Sequence, residues 1–318
     1  MSRSALALDI GGTKLAAGVV DETGRVHSFV VAPSYADRGP ARGLERLFDL
    51  GRKAVDGSGV PWADIDAVGI GCGGPLDRTR GVLLSPPHLP GWLDVPVIEL
   101  AQNAYDRPAL LENDGTAAAA GEYRFGAGAG TKNMVYLTIS TGVGGGVVLN
   151  GELYHGTTGN GSELGHITVD WDGRECRGCG RRGCLEAYVS GTSIAERANE
   201  AGIRGADPSG PTASEVAQAA AAGDSIATIV WETTVAALAS GVTSIVNVFE
   251  PDAVVVGGGV SRAGEQLLAP VRERVREDAM GGAGELVSIV GSALGEHVGV
   301  VGAAAIAHDG HASRDGRG

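Results

Sequence analysis

The stretch "ALALDIGGTKLAAGVVD", Ala5 to Asp21, decides how the rest of the chain is read. "ALALDI" is an apolar run of the kind a buried strand needs, with one charge, Asp9, near its end. "GGTK" turns the chain, and "KLAAGVVD" (14–21) and "RVHSFVVA" (25–32) follow as two more strands split by the turn "ETG". Two hairpin-linked strands after the first exclude the strand–turn–helix opening of a dinucleotide-binding Rossmann unit.

The same logic returns about 130 residues later. "NMVYLTIST" (133–141) reads as a strand, "GVGGG" as a turn, "GVVLNG" (146–151) as a returning strand and "GHITVDW" (165–171) as a third. Such an internal repeat suggests two similar domains facing each other. The spacing predicts helices over 39–57, 115–126, 262–279 and 299–308, and helical text from Ser190 to Glu250. Strands are expected over 65–74, 108–114, 252–259 and 286–294, and a disordered tail from Gly310.

At 318 residues, two domains are the default. The 53 glycines fall in short runs without a collagen period, as turns that hug a ligand do. A net charge of −13 repels phosphate backbones and anionic bilayers, so neither nucleic acid nor membrane is an expected partner. The start "MSRSALALDIGG" lacks a signal-peptide core, and no stretch reaches eighteen continuous apolar residues. A soluble cytoplasmic protein is expected.

Five motifs can carry chemistry. In "LDIGGTK" an acid ends a strand, the turn amides of Gly11 and Gly12 can approach a phosphate, Thr13 adds a hydroxyl, and Asp9 can orient Mg²⁺ through water. A hairpin turn with a capping Asp is the plain alternative. "LTISTGVGGGVV" (137–148) repeats the design with Thr141, Gly142, Gly144 and Gly145. "VVVGGGVS" (254–261) opens a buried strand into Gly257, Gly258 and Gly259, against which a flat adenine or ribose can lie. In "LLENDGTAAAAGE" (110–122), Asn113 and Asp114 end a strand, where ligands bind in open sheets. Asp114 is a candidate general base, and capping of the next helix is the competing role for either residue.

The fifth motif is "GHITVDWDGRECRGCGRRGCLE". Cys176, Cys179 and Cys184, with His166 upstream, supply four ligands for a closed tetrahedral Zn²⁺ site. A redox C-x-x-C pair and a set of unbound core cysteines are the alternatives, and Cys72 reads as core.

Taken in order, D-x-G-G-T-K, E-N-D before an alanine-rich helix, S-T-G-x-G-G-G, E-x-G-H and a cysteine cluster ending G-C-x-E resemble the ROK family, from Ala5 to about His308. Within it the chain looks most like a bacterial glucokinase. The resemblance implies an actin-like ATPase fold: two ribonuclease-H-like domains with a ligand cleft between them, divided here as 1–115 plus 299–318, and 116–298 with the zinc loop. It implies an ATP-dependent kinase acting on the 6-hydroxyl of a hexose, glucose first, with Asp114 as base. Asn113, Glu163, His166 and Glu186 match the family's sugar contacts. Asp9, Gly11, Gly12, Thr13 and Lys14, with Thr141, Gly142, Gly144 and Gly145, match its phosphate loops, and Gly257 to Gly259 its adenosine loop. Mg²⁺, structural Zn²⁺ and a homodimer or homotetramer come with the family.

Three departures bear on substrate and metal. Gly115 and Thr116 follow "END" where the family has Ala and Asn, His88 stands at a usual Asn, and Cys176 sits one residue early. The first two keep other substrates open: N-acetylmannosamine, N-acetylglucosamine, an aminoglucose or a cyclitol. A sugar-sensing repressor of the same family would carry a helix-turn-helix domain ahead of the first motif, and the first strand starts at Ala5.

Overall fold

The computed structural model describes residues 3–208 and 210–314. Strands β1 (Ser4–Ile10), β2 (Lys14–Asp21) and β3 (Val26–Pro33) lead into helix α1 (Pro40–Ser58). Next come β4 (Ile65–Cys72), the short pair β5 (Leu76–Asp77) and β6 (Val82–Leu83), α2 (Val97–Tyr105), β7 (Ala109–Asn113) and α3 (Asp114–Phe125). The repeat opens with β8 (Met134–Ile139), β9 (Val143–Leu149) and β10 (Glu152–Leu153). Helices α4 (Glu186–Val189), α5 (Gly191–Glu200), α6 (Ala213–Ala221) and α7 (Ser225–Phe249) follow. The described fold closes with β11 (Ala253–Gly257), α8 (Glu265–Asp278), α9 (Ala283–Leu286), β12 (Ser288–Gly291) and α10 (Val298–Arg314).

The chain forms two compact units. The first runs to Gly130 and takes in Leu153–Ser162 and the segment from Ala293 onward; the second holds Thr131–Glu152 and Glu163–Ser292. In the first, the sheet order is β3-β2-β1-β4-β7. β3, β2 and β1 pair antiparallel, while β1, β4 and β7 run parallel. In the second, the order is β10-β9-β8-β11-β12, with β9 antiparallel to β8 and β8, β11 and β12 parallel. A hairpin edge feeding three parallel strands, met twice, is the actin-like ATPase fold. The parallel strands are buried almost throughout, which is why they read as unbroken Val, Leu and Ile text.

Four local differences from the sequence reading have physical causes. Gly165–Trp171 forms no sheet strand, because its backbone bonds to the cysteine segment: Leu185 N–H donates to Ile167 O at 2.8 Å and Val169 N–H to Gly183 O at 2.8 Å. The two-residue β10 takes the third-strand place. The final parallel strand shortens to β12, since α9 precedes it. Helix α10 continues through Arg314, so 310–314 of the expected disordered tail are helical and 315–318 lie outside the described residues.

α3 stays in the first unit because it packs along α10, so the division falls at Gly130 and not at the expected 115. The fully buried Glu122 fixes this arrangement. Its carboxylate accepts from Ala127 N–H (2.8 Å), Ala293 N–H (3.2 Å) and Leu294 N–H (3.0 Å). That is also why the C-terminal segment joins the unit from Ala293 and not from 299. In the second unit, α7 is apolar and long enough to cross a membrane by composition, but it is the core helix, packed against α4, α5, α6 and α8.

Glu122→Ala removes the acceptor from three backbone donors at once. The expected loss is about 3 kcal/mol of stability, read as a lower urea midpoint. Glu122→Gln, which keeps one acceptor oxygen, should lose less.

Candidate functional site

In the first unit, parallel register brings the strand ends together. Asp9 on β1 stands beside Gly71 on β4, which stands beside Glu112 on β7. One step further along, Ile10, Cys72 and Asn113 align. Asp9 and Asp114 therefore reach one edge of the sheet. Gly11 N–H donates to Lys14 O at 3.0 Å, closing the turn that carries Gly12 and the exposed Thr13 and Lys14. Asn113 takes the capping role: its Oδ1 accepts from Gly115 N–H (2.9 Å) and Thr116 N–H (3.3 Å) at the start of α3. Asp114 accepts from Gly115 N–H at 2.8 Å and keeps its carboxylate open to solvent.

The electrostatics at this edge are unfavourable to charge. Protein crowds Asp114 closely enough that desolvation lifts its pKa, against the pull of the Gly115 N–H and His88. Asp9 is pushed up to about 7, first by desolvation and then by the charge of Asp114, with Lys14 opposing. Asp9 accepts no hydrogen bond among the described residues. Burial lowers the His88 pKa, with Asp114 acting against it. The His88 ring lies on Gly73, where a Cβ would fall 2.5 Å from its Cε1.

Sequence reasoning missed the residues that hold this edge. Glu112, fully buried, meets His155 Nε2 at 2.9 Å and Arg78 Nε at 3.3 Å, and its Oε1 accepts from Asn113 N–H at 3.0 Å. Asn160 bonds both ways to Leu76, accepting from its N–H at 3.4 Å and donating to its carbonyl at 3.3 Å. The one signal was a charge inside the apolar text of β7.

In the second unit, the turn after β8 meets the start of α5. Gly191 N–H donates to Ser140 O (2.7 Å) and Thr192 Oγ1 to Thr141 O (2.8 Å). A cavity of about 610 Å³ opens here, lined by Ser140, Thr141, Thr192, Asn199, Thr212 and Gly259 among others. Thr141 and Gly259 were expected; Thr192, Asn199 and Thr212 were not. Gly257 is buried at the end of β11, and Gly258 leads from it to Gly259 at the cavity. Gly142 precedes β9, and Gly144 and Gly145 lie within it.

The cysteine knot of the same unit is assembled. The donor atoms of His166, Cys176, Cys179 and Cys184 all lie within 4.8 Å of one another. Cys176 Sγ is 3.6 Å from His166 Nδ1, and Cys179 Sγ is 3.6 Å from Cys184 Sγ. A tetrahedral zinc with ordinary Zn–S and Zn–N bonds needs ligand spacings of about 3.5–3.8 Å, so the set fits such an ion. Without one, burial pushes the Cys176 thiol up to about 12, a charge penalty that a cation removes. The early position of Cys176 is absorbed within this turn, where Gly180 N–H donates to Cys176 O at 2.8 Å. Glu186 joins the knot to the glycine turn: Oε2 accepts from Val143 N–H at 2.9 Å and Oε1 lies 3.5 Å from Cys176 Sγ. Glu163 is exposed just before the short 3-10 turn Leu164–His166. Cys72 is buried in β4, as expected of a core residue.

Comparison with known proteins gives this geometry its context. The model of the ROK family matches residues 5–310. A glucokinase of Thermotoga maritima is 36% identical over 310 residues, 95% of this chain and 96% of its own. Among solved structures, a ROK hexokinase from Thermus thermophilus superposes with a TM-score of 0.81 at 37% identity, covering 98% of this chain and 99% of that one. A ROK family glucokinase from Streptomyces griseus, in complex with glucose and AMPPNP, gives 0.80 at 35% identity over 96% and 99%.

The raised Asp9 pKa has a stability consequence. The folded chain holds this proton more tightly than the unfolded one, so the penalty is absent below pH 3.8, grows as pH rises and is complete above about 7. Asp9→Asn should therefore be more stable than the wild type at pH 8, by about 2–4 kcal/mol, and equal to it near pH 3.5. Urea midpoints at the two pH values measure this; an equal or lower midpoint at pH 8 contradicts it.

Proposed function

The chain belongs to the ROK family, and from that premise we propose that it transfers the γ-phosphoryl group of ATP to the 6-hydroxyl of a hexose, glucose being preferred. The observation that carries the reading is the Asp114 carboxylate, open to solvent at the end of β7, beside Asp9, with its pKa raised by desolvation. A carboxylate so raised is a stronger base than an ordinary one. Asp114 takes the proton of the sugar hydroxyl as its oxygen attacks phosphorus. Phosphoryl transfer asks for little else from a protein beyond position and charge neutralisation.

Other residues have narrower roles. Asn113, pinned as the cap of α3 with its amide nitrogen left over, binds the sugar in the first unit together with His88. In the second unit Glu163, His166 and Glu186 hold sugar hydroxyls. The turn Gly11–Lys14 and the turn Thr141–Gly145 offer backbone amides and hydroxyls to phosphates. Gly257 to Gly259 and the cavity at Thr192 and Asn199 suit adenosine. The lone, pKa-raised Asp9 fits a Mg²⁺ ion held through water, which supplies charge neutralisation at the phosphates. His166, Cys176, Cys179 and Cys184 would hold Zn²⁺, whose service is to stiffen the loop carrying Glu163 and Glu186. Free clustered thiols suit a reducing cytoplasm. Exposed Ile229 and Val248 on α7 and Leu286 favour a homo-oligomer, which light scattering would measure.

Asp114→Asn should lose at least about a thousandfold in kcat while glucose still binds, seen by calorimetry and a coupled assay. Full activity would sink the base assignment. In the wild type, kcat/KM should stay level at alkaline pH and fall as pH drops through the raised Asp114 value, since only the ionised form accepts a proton. Removing the metal with a chelator should weaken glucose affinity before ATP affinity; unchanged glucose binding would break the link between knot and sugar.

A further inference from the structure

A second cavity, of about 460 Å³, lies in the first unit between the end of β3 and α1. It shares no residue with the sites described above. Arg38, Arg42, Arg46 and Lys53 line it, with Tyr35 and Ser34 at one side. Arg42, Arg46 and Lys53 recur along one face of α1, and Arg38 joins them from the turn before it. The Arg38 Cζ lies 4.2 Å from the centre of the Tyr35 ring and the Arg46 Cζ 4.8 Å from it, so two guanidiniums share one ring. Tyr35 holds a left-handed backbone, φ 46°, to present that ring.

The cations of this cavity outnumber its carboxylates four to two. None of the four makes an ion pair among the described residues, and Arg46 Nε is buried without a hydrogen-bond partner. Glu45 and Asp49 also line the cavity, but Asp49 is bound to Arg52 at 2.9 Å. In a chain of net charge −13, convergence of three guanidiniums and an ammonium on one cavity is a built electrostatic feature. Guanidinium forks match phosphate oxygens two at a time, and the cavity has the volume of small-molecule sites. Its wall touches the first glycine turn: Ser34 N–H donates to Thr13 O at 3.0 Å, and Ser34 Oγ to Gly12 O at 2.5 Å.

We propose that this groove binds a small anion carrying two or more phosphate groups, and that its occupancy is transmitted through Ser34 to the Gly12–Thr13 turn. The binding half stands whether or not the kinase reading does. Free oligophosphates and bisphosphate esters share this chemistry, and the probes separate them.

The test is calorimetric titration of the full chain, saturated with AMPPNP, with inorganic tripolyphosphate, fructose 1,6-bisphosphate and citrate in turn. At least one phosphate probe should bind, more weakly as salt rises, and bind about tenfold or more weakly to Arg38→Ala/Arg42→Ala. Both substitutions are on the surface, and basal kcat and thermal midpoint should stay at wild-type values. Binding of tripolyphosphate alone identifies a free oligophosphate, and binding of the bisphosphate an ester. No binding by either, equal affinity in the double variant, or citrate bound as tightly as the phosphates overturns the proposal. At constant free Mg²⁺, the bound probe should shift the KM for ATP in the wild type and leave it fixed in Ser34→Ala, which still binds the probe. An unshifted wild-type KM overturns the coupling.

Discussion

The close approach of α10 to the first sheet is the constraint on which the edge carrying Asp9 and Asp114 depends. A Cβ at Gly69 of β4 would lie 1.8 Å from the Ala303 carbonyl oxygen, so only glycine lets the helix sit where it does. Ala303, Ala304 and Ala307 are fully buried against the strands for the same reason. The helix enters at Val298, next to Asp9: a Cβ at Gly299 would fall 2.5 Å from Asp9 Oδ2. The far end of the chain thus sets both the glycine required in β4 and the surroundings of the first motif's acid. A positive helix N-terminus beside that acid also moderates the cost of placing it near Asp114.

This placement works against stability. Both carboxylates lose hydration at this sheet edge and their pKa values rise, that of Asp9 also through the charge of Asp114. The fold tolerates this because the layer beneath is fully satisfied. Glu112 binds His155, Arg78 and a backbone amide, and Glu122 binds three backbone amides. Buried charges with several partners define the frame, and the less fully partnered Asp9 and Asp114 stand at its edge.

Much of this was legible in the sequence, and what escaped shares one property. The two hairpins could be read because a glycine turn between apolar runs is a local signal. Asn113 and Asp114 could be read because strand-end acids before a helix are local too, and the structure divides their roles by giving the principal cap to Asn113. "HITVDW" alternates as a strand does, yet its partners are Gly183 and Leu185, and nothing within its own seven residues reveals them. Glu112 went unread although it is a charge in an apolar strand, because its partner His155 lies 43 residues away. The expected boundary at 115 differs from the division at Gly130 because α3 packs along a helix that begins at Val298. Long-range hydrogen bonding and helix packing leave no trace in a local window, whereas turn chemistry and strand burial do.

His166 and Glu186 tie the cysteine knot to its surroundings. His166 directs Nδ1 at Cys176, which leaves Nε2 on the other side of the ring. A metal held by His166 and the three cysteines would fix the imidazole tautomer, leaving the free ring nitrogen as a donor of fixed direction. Glu186 divides its oxygens in a comparable way, one on the Val143 amide of the glycine turn and one facing the Cys176 thiol. The cysteines need take no part in chemistry to matter for it. By holding one histidine and one glutamate they fix the position of a ring nitrogen and of a carboxylate that accepts from the glycine turn.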